Sequence, residues 1–197
     1  MPKVVLIDAG GTNIGSVRYA LQRLGVDAPL SSDADEIRAA THVILPGVGA
    51  AAPGMARLRE TGLVDVVRGL AQPVLGVCLG MQLLFDHSEE SDTTCLGLVP
   101  ASLRLFAKSD RLRVPHMGWN SLQVERSNPL LKGIDTGAFA YFVHSYAAPV
   151  GDYTLASCDY GGAFSAVVQR GNFYGAQFHP ERSASVGARL LQNFIAL

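Results

Sequence analysis

The sequence predicts an α/β domain that has a mostly parallel central sheet and extra antiparallel strands in its C-terminal half. Short apolar runs alternate with helix-period segments up to residue 78, which is typical of a parallel sheet covered by helices on both faces. From residue 96 onward, short β-rich runs separated by turn signals dominate. A long helical pattern returns only over residues 186–195, and we expect that helix to pack back on the sheet.

Length and composition fit a single domain that spans residues 1–197. Hydrophobic residues make up 48% of the chain and charged residues 17%, which is the balance of a well-packed protein rather than a disordered one. The net charge of −1 gives no bias toward nucleic acid or a membrane surface. The N-terminal apolar run is too short for a signal peptide, and no run reaches transmembrane length.

The cysteine content indicates a reduced protein. The chain has three cysteines, Cys78, Cys95 and Cys158. Their spacing is not that of metal ligands, and an odd number cannot form a complete set of disulfides. We therefore expect a cytoplasmic protein, and we expect it to bind no metal.

The first βα unit begins with an apolar strand over residues 4–7. A glycine-containing turn follows at residues 8–13, and the helix after it ends at Gly25, a natural residue for a helix C-terminus. The turn lacks both G-x-G-x-x-G and a Lys-Ser/Thr ending, so a tight βα turn is favoured over a phosphate loop. The next predicted elements are a weak strand at 28–31, a helix at 34–40 capped near Asp33, a strand at 43–45, a helix at 55–70 and a strand at 74–78.

The second half is predicted to add strands to the flank of this sheet. Residues 87–92 are polar and are expected to form a surface loop. The β-rich runs that follow cover residues 103–106, 121–124, 140–146, 153–159, 163–169 and 173–177.

Gly76, Cys78 and Gly80 form the pattern G-x-C-x-G between an apolar strand and a helix-like segment. This is the arrangement of a nucleophile elbow, with cysteine as the nucleophile. Flanking glycines let the backbone turn sharply, and the dipole of the following helix would favour the thiolate. The alternative is a buried structural cysteine at a strand end, and the pattern by itself leaves this open.

The segment after the third predicted strand reads Pro-Gly-Val-Gly-Ala at residues 46–50. Its glycines would leave backbone amides at the carboxyl edge of the sheet. An α/β sheet commonly supplies donors for an oxyanion at that edge, and an ordinary βα turn is the alternative.

A cysteine nucleophile needs a base, and His179 with Glu181 is the best candidate pair. His179 precedes a proline, which favours an extended backbone, so its side chain and that of Glu181 should project together. A surface His–Glu pair is the alternative, and it becomes the weaker account once the elbow is considered. Of the other histidines, His42 and His87 are expected to be partly exposed, while His116 and His144 could line a pocket.

Three segments resemble the signature blocks of class I (triad) glutamine amidotransferases: residues 46–49, 76–82 and 177–181. Residues 114–120 and 141–146 further resemble the glutaminase subunits of imidazole glycerol phosphate synthases. The first turn departs from the family pattern, since Ala9 and Thr12 replace a tyrosine and a glycine. Arg182 stands where many relatives carry lysine.

This resemblance implies a flavodoxin-like, three-layer domain that hydrolyses L-glutamine to glutamate and ammonia without a cofactor. Cys78 would attack the side-chain amide to form a thioester. His179 would protonate the departing ammonia and then activate water, with Glu181 orienting its ring. Oxyanion donors would be the amides of Gly47, Val48, Gly49 and Leu79. The groups holding the α-amino and α-carboxylate groups of glutamine would be Gln82, Glu90, Ser145 and Tyr146.

The resemblance also implies a partner, the cyclase subunit, which is a TIM barrel on a separate chain. Once the glutaminase blocks are placed, we expect no residues to remain for an acceptor-substrate domain. Ammonia would pass to the cyclase for imidazole ring formation in histidine biosynthesis, and the expected docking residues are Trp119, Tyr141 and Arg182. The alternatives are a subunit of another class I amidotransferase, a non-catalytic regulatory subunit, which predicts a damaged triad, and a cysteine peptidase on a similar fold.

Overall fold

The computed structural model describes residues 2–10, 14–107 and 112–197. Its strands are β1 (Val4–Ile7), β2 (Leu30–Ser31), β3 (His42–Leu45), β4 (Val74–Val77), β5 (Phe85–Ser88), β6 (Thr93–Thr94), β7 (Val99–Leu105), β8 (His116–Ser121), β9 (Gln123–Val124), β10 (Phe139–His144), β11 (Tyr146–Ala147), β12 (Thr154–Asp159), β13 (Ala163–Arg170) and β14 (Phe173–Ala176). Its α-helices are α1 (Ile14–Arg23), α2 (Ala34–Arg38), α3 (Ala51–Glu60), α4 (Leu63–Arg68), α5 (Leu79–Gln82) and α6 (Ala184–Ile195).

An eight-stranded sheet organises the fold, with the strand order β2-β1-β3-β4-β14-β13-β12-β9. The strands from β2 to β14 pair in parallel. This part has the order of a flavodoxin-like sheet. Strands β13, β12 and β9 extend it in antiparallel pairing. The predicted fold class is therefore confirmed.

Two apolar cores lie on opposite faces of the sheet, because successive residues of a strand point to opposite sides. Leu6 and Ile44 belong to one core, together with residues of α1 and α6. Val5 and Val43 belong to the other, together with residues of α2, α3 and α4. The sheet thus lies between two helical layers. Among the described residues, no helix is long and apolar enough to cross a membrane.

Three expectations about the elements were wrong. The helix expected at 55–70 is two helices, because Gly62 adopts φ 68° between α3 and α4. The segment expected to be a polar loop at 87–92 contains the end of β5, whose Ser88 is fully buried. Not all later strands join the flank of the main sheet. A separate two-stranded sheet contains β8 and β10, and a four-stranded sheet has the order β11-β7-β5-β6.

The parallel register brings several strand ends to one edge of the main sheet. Leu45 pairs with Gly76, and Gly76 pairs with Gly175 on the other side. The chain leaves β3, β4 and β14 at this carboxyl edge, where α/β sheets commonly bind ligands. The predicted oxyanion loop, the cysteine and the histidine follow these three strands in turn. Of the unusual first turn, Gly11, Thr12 and Asn13 lie outside the described residues.

Candidate active site

Cys78 sits in a sharp turn at the end of β4, as the elbow pattern predicts. Its backbone has φ 51° and ψ −109°, and its amide donates to the carbonyl of Ala176 at 2.8 Å. The flanking glycines are required by close packing. A Cβ at Gly80 would lie 1.7 Å from the carbonyl oxygen of Leu45, and one at Gly76 would lie 2.6 Å from the carbonyl oxygen of Gly80. Only glycines fit at these two positions.

The helix after the cysteine is shorter than the sequence suggests. Helix α5 has four residues, so it supplies little of the dipole that was expected to favour the thiolate. The buried Cys78 sulfur instead has polar neighbours from other parts of the chain. The Gln177 amide nitrogen lies 3.9 Å from it, and the Val143 carbonyl oxygen lies 3.8 Å from it. The side chain of His179 also interacts with Cys78, and this interaction raises the pKa of His179.

His179 and Glu181 make the predicted contact. The expected extended backbone is found only at His179, because Pro180–Arg182 forms a 3-10 helix. Nδ1 of His179 lies 2.9 Å from Oε1 of Glu181, so Nδ1–H donates to the carboxylate. We infer that Nε2 is the ring nitrogen that serves Cys78. Burial lowers the pKa of His179, but the hydrogen bonds and charges of Cys78 and Glu181 outweigh it and raise that pKa above its ordinary value. These contacts therefore favour the imidazolium form of His179.

Ser183, which was not predicted from the sequence, joins the backbone at His179 to strand β10 by hydrogen bonds. Its fully buried hydroxyl donates to the carbonyl of His179 at 2.7 Å and accepts from the amide of Tyr141 at 2.9 Å. The amide of His179 donates to the carbonyl of Tyr141 at 2.9 Å. These bonds fix the backbone from which the imidazole projects. The sequence carries no local signal for this role, because the partner strand lies about forty residues away.

The segment at residues 46–50, which we call the oxyanion loop after its predicted role, lies beside His179 and Glu181. Gly47 and Val48 line the same crevice as His179 and Glu181. A Cβ at Gly47 would lie 3.0 Å from the amide nitrogen of Gly80 and 3.0 Å from Cβ of Leu79. The loop therefore packs directly on the elbow, which places Leu79 with the other predicted donors.

The predicted substrate residue Gln82 is buried and already makes contacts within the protein. Its amide nitrogen donates to the carbonyl of Tyr146 and to Oε1 of Gln177, both at 3.0 Å. Ser145, next to Tyr146, accepts at its carbonyl from the amide of Phe106 at 3.0 Å. The structure thus brings Gln82, Ser145 and Tyr146 to one region. It also adds Gln177, which the sequence analysis treated only as part of a motif.

Glu90 belongs to the segment 87–92 that was expected to be a polar surface loop, but its side chain is held against another part of the chain. It is half-buried, and its Oε2 accepts from the amide of Ala51 at 2.8 Å. Glu90 thereby reaches the residue that directly follows the oxyanion loop.

His116 and His144, which were expected to be able to line a pocket, pack in an aromatic cluster with Phe142. Nδ1 of His144 donates to the carbonyl of Tyr146 at 2.8 Å, so its Nε2 accepts from Nδ1 of His116 at 3.2 Å. Burial lowers the pKa of His116 to about 4 and that of His144 to about 3. Both rings are neutral near pH 7. His42, expected to be partly exposed, is buried against Phe194.

The expected docking residues form one group at the surface, in which Trp119 and Arg182 are exposed and Tyr141 is half-buried. Cζ of Arg182 lies 4.3 Å from the ring centre of Tyr141, which in turn makes an edge contact with Trp119 at 5.8 Å. Two residues that the sequence analysis missed, Met117 and Phe139, lie on the same face of the β8–β10 pair and are 63% and 57% exposed. The signal that could have found them is alternation along both strands.

Comparison with known proteins gives the family. A family model described as glutamine amidotransferase class-I matches residues 5–197. This chain belongs to the class-I glutamine amidotransferase family. It is 59% identical over 197 residues to the imidazole glycerol phosphate synthase subunit HisH of Xanthomonas axonopodis pv. citri. The aligned region covers 100% of this chain and 98% of that protein. The HisH subunit of Xylella fastidiosa strain Temecula1 is 56% identical with the same coverage.

Solved structures of other glutamine amidotransferases share the fold. One matches with a TM-score of 0.75 at 22% identity and covers 98% of this chain and 97% of its own. A glutamine amidotransferase from Thermotoga maritima matches with a TM-score of 0.64 at 16% identity and covers 98% of this chain and 82% of its own. The full-length relatives confirm the more specific resemblance, which places this amidotransferase in the HisH group.

Proposed function

We propose that this chain is the glutaminase subunit of imidazole glycerol phosphate synthase, which hydrolyses L-glutamine and delivers ammonia to a cyclase subunit. The observation that carries the proposal is the meeting of Cys78, His179 and Glu181 at one sheet edge, in a chain 59% identical to a HisH subunit. The ammonia serves imidazole ring formation in histidine biosynthesis.

The chemistry follows from the pairing of thiol and imidazole. The Cys78 thiolate attacks the side-chain carbonyl carbon of glutamine, and the carbonyl oxygen takes the negative charge. His179 gives its proton to the leaving nitrogen, so that ammonia departs and a thioester remains. His179 then takes a proton from water, which attacks the thioester and releases glutamate. Glu181 keeps Nδ1 protonated and orients the ring throughout.

The oxyanion would be stabilised by the amides of Leu79 and of Gly47, Val48 and Gly49. The packing of Gly47 against the elbow supports this assignment. Removing one such donor typically costs about 2.7–4 kcal/mol of transition-state stabilisation in other enzymes. We assign the binding of the α-amino and α-carboxylate groups of glutamine to four residues, Gln82, Glu90, Ser145 and Tyr146.

In this proposal the cyclase subunit docks on one surface of the protein. Its exposed residues are Met117, Trp119, Phe139 and Arg182, and the half-buried Tyr141 lies among them. Large exposed apolar side chains grouped on one sheet face are typical of an interaction surface. The face also lies beside the nucleophile, because Val143 of the same strand contacts the Cys78 sulfur. Ammonia released there would have a short path to a partner. Near neutral pH, a sealed path matters because free ammonia is mostly protonated and unreactive.

We further propose a single amidotransferase domain over residues 1–197 and a cytoplasmic location. Strands from both halves of the chain join one eight-stranded sheet, which supports the single domain. The three cysteines are free and buried in the part of the chain that the structure describes, which is compatible with a reducing compartment.

Labelling with a chloroketone analogue of glutamine tests the nucleophile. In the complex with the cyclase subunit, the reagent should modify Cys78 and abolish glutamine hydrolysis. Cys78→Ala should lose both the labelling and the hydrolysis. Glutaminase activity of the wild-type chain should rise when the cyclase subunit and its ligand are added, and a full rate in the isolated chain would contradict the coupling.

The other two cysteines provide matched controls. Burial raises the pKa of Cys95 to about 11 and that of Cys158 to about 12, so both stay as unreactive thiols near neutral pH. Cys95→Ala and Cys158→Ala should therefore label like the wild type. Labelling that persists in Cys78→Ala would refute the assignment of the nucleophile.

A further inference from the structure

We propose that Glu90 is a positioning residue that fixes the oxyanion loop by capping helix α3. The inference rests on the proposed function, because it assumes that this loop serves glutamine hydrolysis. It adds a second role to the one that the family resemblance gives Glu90, which is to help hold the α-amino and α-carboxylate groups of glutamine.

Helix α3 has no cap of its own. Its N-cap residue, Ala50, has no side-chain acceptor, and the first turn of the helix contains no acidic residue. The amide of Ala51 at the helix start donates instead to Oε2 of Glu90 at 2.8 Å, although the two residues are 39 positions apart. A carboxylate at a helix N-terminus satisfies an unpaired amide and complements the helix dipole. Glu90 therefore supplies from a distant turn what the local sequence lacks.

The turn that carries Glu90 holds its backbone firmly. The amide of Glu90 donates to Oγ of Ser88 at 3.2 Å, and its carbonyl accepts from Oγ1 of Thr93 at 2.6 Å. The next two residues, Ser91 and Asp92, both have positive φ, at 56° and 48°. Residues other than glycine rarely adopt a positive φ, and they keep it only where the surrounding structure imposes it. The turn thus presents the carboxylate from a fixed base.

The capped amide is adjacent to the catalytic elements. Ala51 directly follows the oxyanion loop, whose Gly47 packs against Leu79 and Gly80 of the elbow. A shift of the start of α3 would therefore move the loop relative to Cys78. Because oxyanion donors act only when correctly placed, such a shift should affect the transition state more than substrate binding.

The two roles of Glu90 can be separated, because they need different chemistry. Capping needs an oxygen that accepts from Ala51, which a glutamine side chain also provides. Attraction of an α-ammonium group benefits from the negative charge, which glutamine lacks. Glu90→Gln should therefore keep most of kcat and raise KM for glutamine. Glu90→Ala removes both and should also lower kcat by about ten- to hundredfold, the scale of a misplacement of about 1 Å.

The experiment compares these variants in the complex with the cyclase subunit. Steady-state glutamine hydrolysis gives kcat and KM, and hydrogen exchange of the Ala51 amide reports the cap directly. Exchange should accelerate in Glu90→Ala and stay slow in Glu90→Gln. Glu90→Asp keeps the charge but shortens the reach, so it should resemble Glu90→Ala in kcat, and it serves as the second test if the alanine variant does not fold.

Asp33→Ala is the matched control. Asp33 caps α2 by accepting from the amides of Asp35 and Glu36, at 2.8 and 2.9 Å. Its loss should lower stability without changing kcat. An unchanged kcat and unchanged Ala51 exchange in Glu90→Ala would overturn the positioning role, and Glu90 would then act on substrate alone. A wild-type complex that fails to hydrolyse glutamine would refute the proposed function instead.

Discussion

Replacing Gly80 by alanine should destabilise the fold, although alanine is the better helix former. Gly80 lies in α5, where alanine is favoured over glycine by about 0.5–1 kcal/mol. The added Cβ would, however, stand 1.7 Å from the carbonyl oxygen of Leu45 and 2.7 Å from its carbonyl carbon. These are backbone atoms of β3, which cannot turn aside as a flexible side chain could.

The size of the clash sets the magnitude of the expected loss. Packed carbon atoms sit about 3.5 Å from their neighbours, so strand and elbow would have to separate by roughly 1.5 Å or more. Overpacking of a close-packed interior costs typically about 1–3 kcal/mol and occasionally more. A backbone clash belongs at the upper end, and we expect a net loss of about 3 kcal/mol. For a chain of this length, that corresponds to a fall in Tm of about 6–12 °C.

Urea-induced unfolding of the full chain measures this loss, and Gly15→Ala is the control. Gly15 lies in α1, and a Cβ there would meet only the ring of Tyr19, at an ordinary 3.8 Å. The same chemical change should therefore stabilise the protein by about 0.5–1 kcal/mol at this site. Opposite signs at the two glycines are the expected result.

Gly80→Ala should also slow the reaction of Cys78, because Gly80 lies in the turn that carries this cysteine. A misplacement of about 1 Å can cost a hundredfold in rate, so labelling of Cys78 by the glutamine analogue should slow by about that factor. Gly80→Ala with wild-type stability, within about 0.5 kcal/mol, would refute the packing argument.

Two further substitutions probe the groups around the triad. Glu181→Gln removes a charge that raises the pKa of His179, so the imidazole titration followed by NMR should move to lower pH. A histidine whose pKa is raised in the folded state stabilises the protein at pH values below its unfolded pKa, and this stabilisation is lost as the pH rises through the folded pKa. In Glu181→Gln the loss should therefore occur at a lower pH than in the wild type. An unchanged titration of His179 would contradict the role of Glu181. Gln177→Leu removes the amide near the Cys78 sulfur and should slow its alkylation about tenfold at fixed pH, as expected for one weak hydrogen bond to a charged group. A wild-type alkylation rate would show that the long contact does not stabilise the thiolate.

Local patterns predicted the parts of the site that depend on neighbouring residues. The turn at Cys78 follows from two glycines within two residues of it. The contact of His179 with Glu181 was predicted from extended geometry across the proline; the contact forms, but Glu181 lies in a 3-10 helix rather than in an extended segment. The fold class followed from the alternation of strand and helix patterns for the same reason. Periodicity over a few residues decides which face of an element is apolar.

Residues distant in the chain decided the rest. Ser183 contacts Tyr141 across 42 positions, and Gln177 contacts Cys78 across 99. The division of the second half into separate sheets likewise depends on which strands pair, and a sequence of similar β-rich runs does not specify this.

The sequence by itself determined the α/β architecture, the elbow and the identity of the reactive groups, because glycine spacing and side-chain chemistry act over short stretches of chain. Only the tertiary structure decided that Glu90 caps α3, and that Met117 and Phe139 join Trp119 on one exposed face. These arrangements are set by strand pairing and by the packing of distant elements. No local segment contains that information.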